Sequence, residues 1–348
     1  MEPESNKEKG ESKKIKTKVI FIDIKSKYII KKILFDYLYI TKSLDIIKYN
    51  KKIQKRIDIN INDYKKCSEI YSSIEIEVVP VKNKYDKFIN IKKDDEIYYH
   101  IYFDNNKEEI KRNYLNENED IKLIRIKMDY QIKSFKELFY NCECVESIYF
   151  KKFCRNNIKD MNFIFNGCSS LKELNLTNFI TNNVTNMKYM FYGCTSLKEL
   201  CLNNFNTNNV FYMDFMFCGC SSLKELNLSN FNTNNVINMN AMFYGCSSLK
   251  ELNISNFSTN NVSNIGFMFY GCSSLNELNL SNFNSNNVTD MRFIFSGCSA
   301  LKELNIPDSF INQKSYIDCM FVGCSDELKN FIEAKYKNIK PNNFNNII

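Results

Sequence analysis

The dipeptide Gly-Cys recurs at Gly167-Cys168, Gly193-Cys194, Gly219-Cys220, Gly245-Cys246, Gly271-Cys272, Gly297-Cys298 and Gly323-Cys324, and every interval is 26 residues. A constant period of this size excludes an ordinary globular arrangement. One supersecondary unit must be stacked many times, each copy completing its core against its neighbours. Such a chain presents a long surface rather than a single pocket.

Residues 223–248 show one unit. Leu223, Leu226, Leu228 and Phe231 open it, and the alternation of Leu226 and Leu228 predicts a short strand. Asn232-Thr233-Asn234-Asn235 reads as a turn, because Asn tolerates left-handed backbone and bonds its own main chain. Met239, Met242, Phe243 and Cys246 then fall at i, i+3, i+4 and i+7, the spacing of one helix face. Gly245 suits a helix C-terminus that needs positive φ. The fold class expected is α/β: a solenoid of stacked short strands and short helices, preceded by a small α+β N-terminal domain.

The ends of the array are traceable. Phe135, Leu138, Phe139 and Cys142 match the helix pattern one period upstream, with Asn141 in place of Gly. Ile121, Ile124 and Ile126 resemble a shortened first strand unit. Beyond the last Gly-Cys, Leu328, Phe331, Ile332 and Tyr336 space out as an amphipathic capping helix with acids in its first turn. Pro341 and an Asn-rich tail end the structure. The division expected is a disordered tail at 1–18, the N-terminal domain at 19–119, about eight repeat units at 120–324, and a capping helix and tail at 325–348. Within the N-terminal domain, residues 28–39 and 44–53 read as helices. Ser73–Val81 and Glu96–Phe103 read as strands, with Pro80 ending the first.

Composition narrows the function. The net charge of +7 is spread thinly, with no basic stripe beyond Lys7–Lys18, so nucleic acid is not an expected partner. No apolar run is long enough for a membrane span and the N-terminus lacks an apolar signal region, so a cytoplasmic location is expected, with the cell surface as the alternative. The seven Gly-Cys cysteines stack with Cys142 as a buried thiol ladder; disulfides are the alternative. Cys142-x-Cys144 and Cys218-x-Cys220 are too close for zinc, and His100 is the single histidine, so neither metal nor catalytic triad is expected. No phosphate-binding glycine loop can be assembled, because only Gly10 and Gly266 lie outside the repeat position. No cofactor is expected, and the chain reads as non-enzymatic.

L-x-x-L-x-L is the leucine-rich-repeat strand signature, and V-x-x-M-x-x-M-F-x-G-C-S-S-L stands nearly intact from Val236 to Leu249. Over residues 130–324 the chain closely resembles the BspA-like leucine-rich-repeat family, whose units include the mycoplasma lipoprotein-type repeat. The resemblance implies a right-handed solenoid that binds other proteins. Bacterial members are associated with cell surfaces and adhesion, which makes an exported adhesion protein the alternative reading. The N-terminal layout I-x-x-I-L-x-x-Y-L followed by L-x-x-I-x-x-x-x-K weakly resembles an F-box, and this implies a ubiquitin-ligase adaptor as a further partner. The other reading is a cap for the solenoid.

Two sets of residues are candidate protein-binding sites. On the strand side, Lys198-Glu199, Lys224-Glu225 and Lys250-Glu251 recur as a Lys ladder beside a Glu ladder, either a binding face or a solvated, mutually paired one. On the helix side, Tyr189, Phe215, Phe267, Arg292 and Phe293 occupy equivalent, variable places, either an aromatic interaction row or packing between helices. Gly193, Cys194, Gly219, Cys220, Gly245, Cys246, Gly271 and Cys272 are structural. Asn183, Asn209, Asn235, Asn261 and Asn287 are expected to satisfy backbone in the turns. The N-x-S/T triplets, such as Asn227-Leu228-Ser229, are by-products of the unit.

Overall fold

The computed structural model describes residues 47–48, 50–57, 72–117, 119–310, 315–336 and 344. The expectations for residues 1–18, for a helix at 28–39, for most of the F-box-like pattern and for the tail around Pro341 lie outside these. The chain divides into two compact units, Met1–Ser68 and Glu69–Ile348. In the first, helix α1 (Lys51–Ile57) buries Ile53 and Ile57, and the Asn50 side chain accepts from the Ile53 N–H at 3.1 Å. That bond satisfies one of the orphan donors of the first turn.

The second unit is a solenoid in the mixed α/β class. Its N-terminal end is a five-stranded sheet of β1 (Ile74–Pro80), β2 (Tyr99–Phe103), β3 (Ile124–Met128), β4 (Val145–Lys152) and β5 (Glu173–Asn175), in the order β2-β3-β1-β4-β5. Two expected strands are therefore present, although residues 93–98 form a 3-10 turn ahead of β2. The expected stacking of the 124–126 strand against the next unit does not occur. β1 lies between β3 and β4 and pairs antiparallel with both. Its alternating Ile74, Ile76 and Val78 are fully buried, so inserting it covers the first coil with a continuous apolar row. The sheet runs across residue 119, where the sequence pattern changes.

From β4 onward the strands are parallel. β6 (Glu225–Asn227) pairs with β7 (Glu251–Asn253), and β8 (Glu277–Asn279) pairs with β9 (Glu303–Asn305), each in register at a 26-residue offset. The other side of each coil carries a longer ladder. Asp160, Asn186, Tyr212, Asn238, Asn264, Asp290 and Tyr316 form successive parallel bridges. This side is built of reverse turns where the i, i+3, i+4, i+7 spacing predicted a short helix. Alternate N–H groups explain why. Those of Met187, Tyr189, Phe191 and Gly193 donate to carbonyls of the next coil, Tyr212, Asp214, Met216 and Cys218, at 2.7–3.1 Å. Those of Met190, Tyr192 and Cys194 close turns onto residues three back. A helix would have spent all of them within one coil.

Two of those turns need a positive φ at their third residue. Gly193, at φ +69°, fills one without strain, while Tyr189 fills the other at φ +55°. Asn141, in the glycine position of the first unit, adopts φ +54°, which Asn tolerates better than most residues. Inside the coils, Phe139, Phe165, Phe191, Phe217, Phe243, Phe269, Phe295, Phe321 and Phe344 form one file with ring centroids 5.4–5.9 Å apart. Helix α2 (Asp326–Lys335) closes the far end, with Ser325 as its cap and Leu328 and Ile332 buried. Phe331, expected on the apolar face, is 45% exposed.

Candidate interaction faces

Three internal rows hold the coils together. Seven ladder thiols, from Cys168 to Cys324, each donate to a Phe carbonyl of the preceding coil at 3.0–3.2 Å. Burial pushes the thiols of Cys194, Cys220, Cys246 and Cys272 well up, and that of Cys324 to about 12, so all remain protonated donors. Cys142, Cys144 and the seven ladder cysteines are free thiols. The asparagine row behaves as expected: Asn183, Asn209, Asn235, Asn261 and Asn287 each donate to a carbonyl of the preceding coil at 2.5–2.7 Å.

The third row is threonine. Thr181, Thr207, Thr233 and Thr259 are buried, and each hydroxyl both donates to and accepts from one residue of the next coil at 2.7–2.9 Å. Sequence reasoning missed it, because Thr233 sits inside an Asn-rich turn and looked like solvent-facing polarity. One period upstream, Arg155 holds this position. It is fully buried, and its Nη1 donates backward to the carbonyls of Asp129 and Ile132 at 3.2 and 2.7 Å. Burial draws its guanidinium down to about 10.

The aromatic residues named from sequence lie on the turn side, where they stack on one another. Tyr189 and Phe215 are parallel at 4.6 Å, and Phe267 and Phe293 at 4.9 Å, with Ala241 between the two pairs. All four are half-buried. Ring faces are consumed within the row, so a partner meets ring edges. Arg292 holds its own Asp290 at 2.8 Å and lies 5.6 Å from the Tyr316 ring. Beside this row, Lys188 reaches the fully buried Asp214 of the next coil at 2.7 Å.

A more exposed apolar group stands on the same side. Phe211 and Tyr212 are each 43% exposed and Ile237 39%, on adjacent coils. The equivalent places elsewhere hold Lys159-Asp160, Thr185-Asn186, Ser263-Asn264, Thr289-Asp290 and Ser315-Tyr316, so the array's last unit repeats the exposed tyrosine but not the Phe or Ile beside it. Asn186, Asn238, Asn264 and Asp290 each accept from the N–H two residues on at 2.8–3.0 Å. Tyr212 has no such acceptor, so its coil gives up a bond worth about 1 kcal/mol and exposes a ring. The departure from the unit's Ser/Thr-Asn pair was visible in the sequence and would have found these residues.

On the strand side, Lys198, Glu199, Lys224, Glu225, Lys250 and Glu251 are all exposed, in columns along the solenoid. Glu225 lies directly opposite Glu251, and Glu277 opposite Glu303. The mutual pairing expected of this face is not seen. Among the described residues the one ion pair within these columns is Lys172–Glu146 at 2.7 Å, where an acid occupies the Lys column. Glu173 accepts from the Tyr149 hydroxyl instead. Asn227, Asn253 and Asn279 accept from their own turns at 3.0–3.1 Å.

Among the described residues no group of His, Cys, Asp and Glu is arranged to hold a metal ion, and no helix is long and apolar enough to cross a membrane. A family model described as "Mycoplasma protein of unknown function, DUF285" matches residues 133–251 and 221–334. Two solved leucine-rich-repeat proteins are similar at 18% identity. One, from T. pallidum, is matched over 59% of this chain and 76% of its own with a TM-score of 0.30. The other, from Bacteroides ovatus ATCC 8483, is matched over 53% of this chain and 66% of its own with a TM-score of 0.24. No curated protein matches the chain.

Proposed function

The chain belongs to the DUF285 family of mycoplasma proteins, and from that premise we propose that it is a non-enzymatic protein-interaction solenoid acting inside the cell. The observation that carries the reading is the apolar group of Phe211, Tyr212 and Ile237. Three large side chains are exposed on two adjacent coils flanked by Thr185-Asn186 and Ser263-Asn264, and Tyr212 is exposed at the cost of a turn hydrogen bond. Exposed aromatic residues that oppose local stability are the usual anchors of an interface. The half-buried row of Tyr189, Phe215, Phe267 and Phe293 extends along the same side. An intracellular site is supported by the thiol ladder, whose bonds need S–H donors and hence reducing conditions.

The test replaces Phe211 by Ser, Tyr212 by Asn and Ile237 by Ser, the residue types of the other coils. Affinity capture with the full chain and with this triple variant is compared by mass spectrometry. The reading expects partners that the wild-type chain retains and the variant loses, with thermal stability equal or higher in the variant. An identical set of captured proteins would refute it.

A further inference from the structure

We infer that the strand face is an interface between two copies of this chain, related by a two-fold axis parallel to the solenoid. The face carries a column of lysines (Lys198, Lys224, Lys250, Lys302) beside a column of glutamates, both at the coil spacing of roughly 4.8 Å. Glu146 and Lys172 bond at 2.7 Å, so neighbours within a column are near enough to interact. Beyond them each column is single-signed apart from Asn276, and like charges stand opposite one another in register. Such opposition is unfavourable within a sheet.

A surface that relieves both columns must carry the same pitch with the signs exchanged. The strand face itself does so when turned over. Rotation about an axis parallel to the solenoid brings the Lys column of one copy over the Glu column of the other. Rotation about an axis across the solenoid sets Lys over Lys and Glu over Glu, and charge excludes it. The parallel arrangement also brings both C-terminal ends to the same height. There Phe331 and Lys335 of α2 line an open groove together with Glu303 and Asn305 of the last strand. The two exposed Phe331 rings then stand at the same height on the joined faces, an apolar element that the charged columns lack. The near-invariance of the columns fits a periodic partner better than a single irregular one.

Sedimentation of the full chain tests the inference. A dimer is expected at low salt, with a dissociation constant rising about tenfold or more between roughly 0.05 and 0.5 M ionic strength. K198E/K224E/K250E and E199K/E225K/E251K are each expected to be monomeric alone and to form a mixed dimer when combined. If circular dichroism shows either reversal variant unfolded, K198Q/K224Q/K250Q and E199Q/E225Q/E251Q replace them, and each should weaken the dimer. A monomeric wild-type chain at low salt, a salt-independent dimer, or a dimer untouched by the substitutions would overturn the inference. These outcomes leave the turn-side binding reading standing, since its variant alters no strand-face residue.

Discussion

Raising the pH should unfold the solenoid through its thiol ladder. The ordinary value for a cysteine is 9.0, and burial holds the thiols of Cys194, Cys220, Cys246 and Cys272 well above it. The sign follows from proton counts. Between the unfolded and folded values the native state keeps its protons and the unfolded state does not, so stability falls as pH rises. The contribution is intact below pH 9 and is lost on the way up through the folded values. Each thiol contributes a slope of about 1.4 kcal/mol per pH unit once its unfolded form is ionised. Seven ladder thiols sum to a slope on the order of 10 kcal/mol per pH unit, against a total stability of roughly 5–15 kcal/mol. The assay is urea denaturation at stepped pH, followed by circular dichroism together with thiolate absorbance. Thiolate signal and loss of structure should appear together, within about one pH unit. A C194A/C220A/C246A variant should lose about 4 kcal/mol per pH unit of slope, whatever its starting stability. Thiolates forming in an intact fold, or an unchanged slope in the variant, would show that the ladder is open to solvent and the reasoning wrong.

Three further outcomes are expected in thermal or chemical denaturation. Gly245→Val forces a β-branched residue to φ +69°, with its Cβ 3.9 Å from the Gly219 backbone, and should cost about 1–3 kcal/mol, whereas Gly245→Asn should cost less, as Asn141 shows. Thr233→Val strands the N–H and C=O of Ser258 in a buried place and should cost about 1–3 kcal/mol, while Asn235→Ala, at an exposed bond, should cost about 1. Lys188→Met leaves the carboxylate of Asp214 buried without its cation and should cost about 3 kcal/mol; Asp214→Asn should be milder, because Asn240 in the next coil already donates to the Gly266 carbonyl from that position. Equal costs for the last two would place the buried charge elsewhere.

The period, the thiol ladder and the asparagine row were legible because each follows from residue type at a fixed interval. The local geometry of the turn side was not. Met239, Met242, Phe243 and Cys246 point inward whether the backbone coils as a helix or alternates between turns and next-coil bonds. Only the left-handed residues distinguish the two, and nothing about Tyr189 or Phe215 announces a positive φ. The insertion of β1 between β3 and β4 was equally hidden, since alternation places a strand without naming its neighbours. The Lys and Glu columns stand exposed along the strand side, where identical neighbours cannot neutralise one another. Phe211 and Tyr212 were legible as a departure from the Ser/Thr-Asn pair, a signal carried by single residues and so weaker than the period around them.

The direction of the bonds between coils has a consequence for how such a gene changes. Turn-side N–H groups and threonine hydroxyls reach forward, while thiols and the asparagine row reach back. An interior coil therefore offers the same backbone, thiol and asparagine bonds above and below as its neighbours. Duplicating or deleting a whole 26-residue period keeps these rows paired, and the exception is a coil that holds its neighbour's partner, as Asp214 does for Lys188. The Arg155 end, bonded to the carbonyls of Asp129 and Ile132, and the α2 end, capped by Ser325, are exempt from that freedom. Tandem slippage in the coding sequence thus leaves the repeated rows of the interior intact. It shifts the height of the Phe211 and Tyr212 coil relative to the ends, and so can re-space an interface without redesigning a residue.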